Sequence, residues 1–242
     1  MKKPLTSLLS LTILFLFSGA VSGEEPEVKK EYWDNGKVRL ERHYRDGKLD
    51  GLSTYFYENG IKMFEVYYKH GKNSGLKIHW YPNGKTWYER NYKFGEKDGP
   101  WNEWYFNRKL KFKGHYKDGK KDGLMTSWYE NGKKDSERHY KDGKRDGLST
   151  SWYENGKKWY ERHYKDGEKD GLDTEWYENG KKWYEIIFKD GKKDGLGTEW
   201  YENGKKRIEK HYKNGLKEGR WTEWSKDGKK TYEGHFKDGN KT

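Results

Sequence analysis

Five Glu-x-His pairs are the residues of this sequence whose types and spacing could do chemistry: Glu41 and His43, Glu137 and His139, Glu161 and His163, Glu209 and His211, and Glu233 and His235. Residues two apart on a strand share a face, and a carboxylate beside an imidazole can act as an acid-base pair or bind a metal. Repetition argues against both uses. Equivalent residues in successive copies lie two strands apart, roughly 9.5 Å, whereas a metal holds its nitrogen ligands at about 2.1 Å. A catalytic pair repeated along an open surface also has no enclosing pocket. The pairs are therefore expected to form a hydrogen-bonded or ionic ladder. The Asp-Gly-Lys-Lys-Asp-Gly segments at 118–123 and 190–195 have the look of calcium loops. Calcium needs six or more oxygen ligands, and the paired lysines would repel it, so plain turns are expected. An enzyme would need a non-repeated cluster of polar residues, and the sequence contains none. The expectation is a non-enzyme with no catalytic residue, metal, cofactor or small-molecule substrate.

The elements that position these pairs recur at a fixed interval. A first turn position falls at 36, 60, 84, 108, 132, 156, 180, 204 and 228, every 24 residues, and is glycine except at Arg108. Gly60, Gly84, Gly132, Gly156, Gly180, Gly204 and Gly228 are thus expected structural turn glycines. A second glycine column runs from 47 to 239 and a third from 51 to 219 at the same interval. A unit that tolerates no insertion or deletion must stack on copies of itself.

Within one unit, 148–153 reads as a strand, 154–157 (Glu-Asn-Gly-Lys) as a hairpin turn and 158–164 as the return strand. Short turns between such strands allow only antiparallel neighbours. The expected fold is all-β: an elongated single-layer antiparallel β-hairpin sheet of about nine 24-residue repeats. Some 17 or 18 strands at ~4.8 Å each would make it roughly 80 to 90 Å long. A two-residue turn would set Trp152 opposite Trp159. A three-residue loop with a glycine bulge would put Trp152, Tyr160 and Tyr164 on one face, and this register is favoured because it gathers more apolar columns. Two aromatic ladders follow, one from Phe56 through Trp80 to Trp224 and one from Tyr44 to Phe236, expected to form the core between repeats.

Composition agrees with a thin sheet. Apolar residues are 30% and charged residues 38%, but 13 Trp, 21 Tyr and 9 Phe set the chain apart from disordered sequences. The absence of cysteine excludes a disulfide framework and thiolate chemistry. Residues 1–23 read as a signal peptide, with Lys2 and Lys3, an apolar run from Leu5 to Phe17 too short to span a bilayer, and small residues before a cleavage site after Ser22 or Gly23. Retention as an N-terminal anchor is the alternative. Residues 24–30 read as a charged linker and 31–242 as the repeats, placing the mature chain outside the cytoplasm or in the cell envelope. The net charge is +12, of which Lys2 and Lys3 belong to the signal segment. It could favour nucleic acid, anionic lipid or an acidic protein, or simply keep exposed turns soluble and sheet edges apart.

Tyr232-Glu233-Gly234-His235-Phe236-Lys237-Asp238-Gly239 and Phe112-Lys113-Gly114-His115-Tyr116-Lys117-Asp118-Gly119 resemble the Tyr-Glu-Gly-x-aromatic-x-x-Gly signature of MORN repeats. With its Trp-Tyr-Glu-Asn-Gly-Lys turns, the chain over 31–240 is more similar to bacterial MORN-repeat variants, among them YwqK-type toxin-antitoxin antitoxins. The resemblance implies a hairpin sheet used for protein or lipid contact and for scaffolding. The second-strand glycine of that signature is replaced at Arg42, Arg90, Arg138 and Arg162.

The expected partner is a protein, with a toxin as the most specific version and an immunity-like role for an exported chain. A membrane surface or glycan is the alternative, since exposed aromatics can stack on sugars and the spacing resembles choline- or glucan-binding cell-wall repeats. Nucleic acid could stack on a basic aromatic surface, but export argues against it. The candidate binding residues are Trp128, Trp152, Trp176 and Trp200 in regular units, and Trp101, Trp104, Phe106 and Arg108 in the irregular fourth unit. There Pro100 begins a strand and Arg108 takes the turn glycine's place.

Overall fold

A computed structural model describes residues 26–242. The expected signal peptide lies outside the described residues. Among the described residues there are 22 strands and no helix, and every pairing is antiparallel between strands consecutive in the sheet. The strand count exceeds expectation because Lys48–Leu49, Lys120–Lys121 and Lys192–Lys193 are each set off from the strand that follows by one residue, Asp50, Asp122 or Asp194, whose N–H still donates to the neighbouring strand, and Asn240–Lys241 adds a short closing segment. Among the described residues two compact units are distinguished, 26–109 with Tyr116–Gly119, and Leu110–His115 with Lys120–Thr242. Each carries an antiparallel meander of the same hairpin.

The expected linker at 24–30 needs correction. Glu27–Tyr32 is the first strand and pairs with Val38–Arg45, with Lys30 opposite Glu41 and their side chains 2.9 Å apart. A return strand left alone would expose its backbone groups, so the chain before Glu31 is drawn into the sheet.

The hairpin of 144–165 shows how the sequence builds a unit. Gly156 N–H donates to the Tyr153 carbonyl and Tyr153 N–H to the Lys157 carbonyl, both at 2.8 Å. Asn155 Oδ1 accepts from Lys157 N–H at 2.8 Å. This is the three-residue loop, and it needs Gly156 at φ +91°. The other expected turn glycines share the conformation, with φ from +79° to +92°.

A second bulge follows, and it overturns the expected faces. Trp152 pairs with Lys158, but Ser151 pairs with Tyr160, leaving Trp159 extra. One added residue moves the return strand to the opposite alternation. Tyr160, Arg162 and Tyr164 therefore share a face with Ser149 and Ser151, while Trp152 points to the other side with Thr150, Glu161 and His163. At the far edge Asp166 and Gly167 both have positive φ, +51° and +98°, as a two-residue type I′ turn requires.

The core lies on the Tyr160 face. Leu40, Val66, Tyr88, Trp101, Tyr116, Met125, Tyr160 and Ile186 are buried there, so the tryptophan ladder expected to form half of the core lies outside it. The buried columns vary from unit to unit and compensate for one another in size. A Cβ on Gly114 would lie 2.1 Å from Met125 Sδ, and one on Gly197 2.7 Å from Ile186 Cδ1. At the same column Arg162 lies between Ser149 and Asp173. Arg162 binds Glu175 and, at 3.1 Å, Asp173, whose second oxygen takes Lys169 at 2.6 Å. Burial opposes the Arg162 charge, but Glu175 and Asp173 outweigh it and hold its pKa above the usual value.

Neighbouring units are fastened at both edges. Tyr153 Oη donates to the Trp176 carbonyl at 2.8 Å, Asn155 Nδ2 to that of Glu178 at 3.0 Å and Lys157 Nζ to that of Asn179 at 2.7 Å. At the opposite edge Gly167 N–H donates to the Arg145 carbonyl at 2.8 Å. Replacing Tyr153 by Phe removes one fastener and is expected to cost about 1 kcal/mol, read as a lower denaturant midpoint with unchanged slope.

Candidate interaction surface

In three Glu-x-His pairs, 41/43, 137/139 and 161/163, both members are occupied by the sheet itself. Glu161 is paired with Lys158, Glu137 with Lys134 at 2.5 Å and Glu209 with Lys206 at 2.5 Å. His163 and His139 each use Nδ1–H to donate to a leucine carbonyl on the next strand, Leu172 and Leu148, at 3.0 Å. A carboxylate held by lysine and an imidazole held by a carbonyl are not aimed at one another. No group of three His, Cys, Asp or Glu among the described residues is placed to hold a metal ion.

The candidate tryptophans divide by environment. Trp128, Trp152, Trp176 and Trp200 are half-buried. Lys134 lies over Trp152 at 5.7 Å, Lys158 over Trp176 at 5.6 Å and Lys182 over Trp200 at 5.8 Å, and each of these lysines is also tied to a glutamate. The rings are thus covered by side chains that are themselves fixed. Trp101 is only 7% exposed. Arg90 and Lys97 lie over its ring at 4.3 and 4.5 Å, and the Tyr116 ring is 4.8 Å away. It cannot reach a partner, because the register places its column on the core face. Trp104 is half-buried and its carbonyl accepts from Tyr81 Oη at 3.1 Å.

Phe106 and Arg108 are exposed, Phe106 at 54%. Arg108 takes φ +70°, the left-handed conformation that glycine serves in the other turns. Pro100 does not break its strand, Glu96–Trp104. It falls between the pairs Tyr92–Lys97 and Arg90–Trp101, where no ladder bond calls on its missing N–H.

Around Phe106 the structure assembles rings that sequence reasoning did not single out. Phe106 meets Tyr81 edge-on at 5.3 Å, Tyr81 stacks on Trp87 at 5.5 Å and 21°, and Trp87 meets His79 edge-on at 4.9 Å. The signal that could have found them is a break in the residue before the turn asparagine. It is acidic at Asp34, Glu58, Glu130, Glu154, Glu178 and Glu202, but is Pro82 and Phe106 in successive turns.

His79 is the half-buried titratable group beneath these rings. It packs against Phe64 at 5.6 Å and Tyr88 at 5.1 Å, and its Nδ1–H donates to the Trp80 carbonyl at 3.1 Å. Burial pushes its pKa down, with Lys77 and Arg90 adding to the effect against the hydrogen bond.

With this geometry in place the chain can be classified. The MORN repeat variant family matches residues 28–46, 49–70, 74–94, 121–142, 145–166, 169–190, 193–214 and 217–238, and the chain belongs to that family. Residues 95–120, which hold Trp101, Trp104, Phe106 and Arg108, fall between matched segments. A comparison with curated proteins finds no match.

Two outcomes follow from these environments. The unfolded chain binds a proton at His79 near the ordinary histidine pKa, whereas the folded chain takes it only at lower pH, so His79 destabilises the fold as pH falls below about 6.5. The drop in melting temperature between about pH 7.5 and about pH 5 should be smaller in His79→Tyr, which copies the Tyr55 found one repeat earlier, than in the native chain. Arg108→Gly should raise stability by about 0.5–1 kcal/mol, the relief of left-handed strain exceeding the added chain entropy, measured by denaturant titration.

Proposed function

We propose that this protein is an exported, non-enzymatic repeat scaffold that binds another protein, with an antitoxin- or immunity-like role as the most specific form. The observation that carries the reading is the engagement of the repeated polar groups. Glu161 and His163, like Glu137 and His139 and Glu41 and His43, are spent on the sheet, which leaves an open surface suited to contact rather than to reaction. Membership of the MORN repeat variant family supports a scaffold. The apolar segment near the N-terminus, followed by small residues, supports export.

Capture from culture medium and envelope extracts tests the reading. One protein retained at physiological salt and not eluted by soluble glycan is expected, and elution by sugar alone would instead make the chain a glycan-binding envelope module. N-terminal sequencing of the secreted material is expected to begin at Gly23 or Glu24. A small exported toxin encoded beside this chain, neutralised by it, would establish the immunity role, and failure to neutralise such a toxin would remove it.

A further inference from the structure

We propose that the ring platform of Tyr81, Trp87 and Phe106, rimmed by Pro82, is the docking site for an acidic protein segment carrying an aromatic or large aliphatic anchor. The inference rests on the protein-binding reading above and assigns it a place and a partner chemistry.

Three observations converge here. Phe106 is 54% and Trp87 38% exposed, yet both are held by ring contacts to Tyr81 at 5.3 and 5.5 Å, so little side-chain entropy remains to be lost on binding. Preset aromatic surface of this kind is what interface anchors are made of.

The second observation is charge. Two adjacent turns lose their acidic residue to the apolar Pro82 and Phe106, whereas the last turn replaces it with Lys226. What remains nearby is cationic. Lys85 lies over the Phe106 ring at 4.9 Å and donates to its carbonyl at 3.1 Å, and Arg108 is exposed in the same turn. A comparable exposed ring, Trp159 against Tyr153, sits between turns that keep Glu154 and Glu178. An acidic partner gains most from the exchange of carboxylates for rings beside Lys85 and Arg108.

The third concerns the polar groups a sugar would need. Asn83 Oδ1 already accepts from Lys85 N–H at 3.1 Å, and Lys85 Nζ is committed to Phe106. The platform has rings and positive charge but few free neutral donors and acceptors, which favours a peptide over a glycan.

The test is selection of a phage-displayed random peptide library on the purified protein. Enriched peptides should be acidic with Trp, Phe or Leu, and should bind less tightly as salt rises. The double substitution Pro82→Glu and Phe106→Glu restores the acid of the turns at 58 and 130. It should weaken binding about tenfold or more while leaving the melting curve in place, and Trp159→Thr should leave binding unchanged. Basic or uncharged selected peptides, or acidic ones that bind the double variant equally well, would overturn the platform while leaving the scaffold reading intact. Failure to enrich any peptide, with binding to soluble glycan instead, would overturn both.

Discussion

A turn whose side chains hydrogen-bond the backbone of the next turn cannot change its length. Tyr153, Asn155 and Lys157 each reach a carbonyl 22 or 23 residues ahead, and the same three bonds recur from Tyr129, Asn131 and Lys133. An inserted residue would shift three donors from three acceptors at once, at about 1 kcal/mol each. The fixed 24-residue interval in the sequence is the record of that constraint. Aliphatic side chains are few, so much of the cohesion between units resides in these polar contacts and in ring and cation stacking.

The two faces divide constancy and variation in an unexpected way. The tryptophan, threonine, glutamate and histidine columns repeat on the face opposite the core, whereas on the core face only the Tyr164 column is steady and the Ser149, Tyr160 and Arg162 columns change. Gly114 makes room for Met125 and Gly197 for Ile186, while Arg162 stands where its neighbour is Asp173. Arginine at the second-strand glycine of the MORN signature is therefore a packing alternative, governed by the volume and charge of the adjacent strand.

That division changes what counts as a sign of function. Variation on the core face reflects fit, and repetition on the open face reflects stacking. A departure from repetition on an exposed edge has neither explanation. Pro82 and Phe106 are such departures, and the rings they expose rest on Tyr81 and Trp87.

The period, the strands and the glycine turns were legible in the sequence because each is set by local backbone preference. Gly156 at positive φ and the paired Asp-Gly turn need nothing beyond their own dihedral angles. Tertiary structure decided the faces. The extra bulge at Trp159 has no residue signature of its own, yet one unpaired residue sends Tyr160 and Trp152 to opposite sides, because side-chain direction alternates with every residue along a strand. With the faces went the candidate site. Trp101 is buried and Phe106 exposed although they lie five residues apart in one unit, since burial is settled by the neighbouring strands and not by the residue itself.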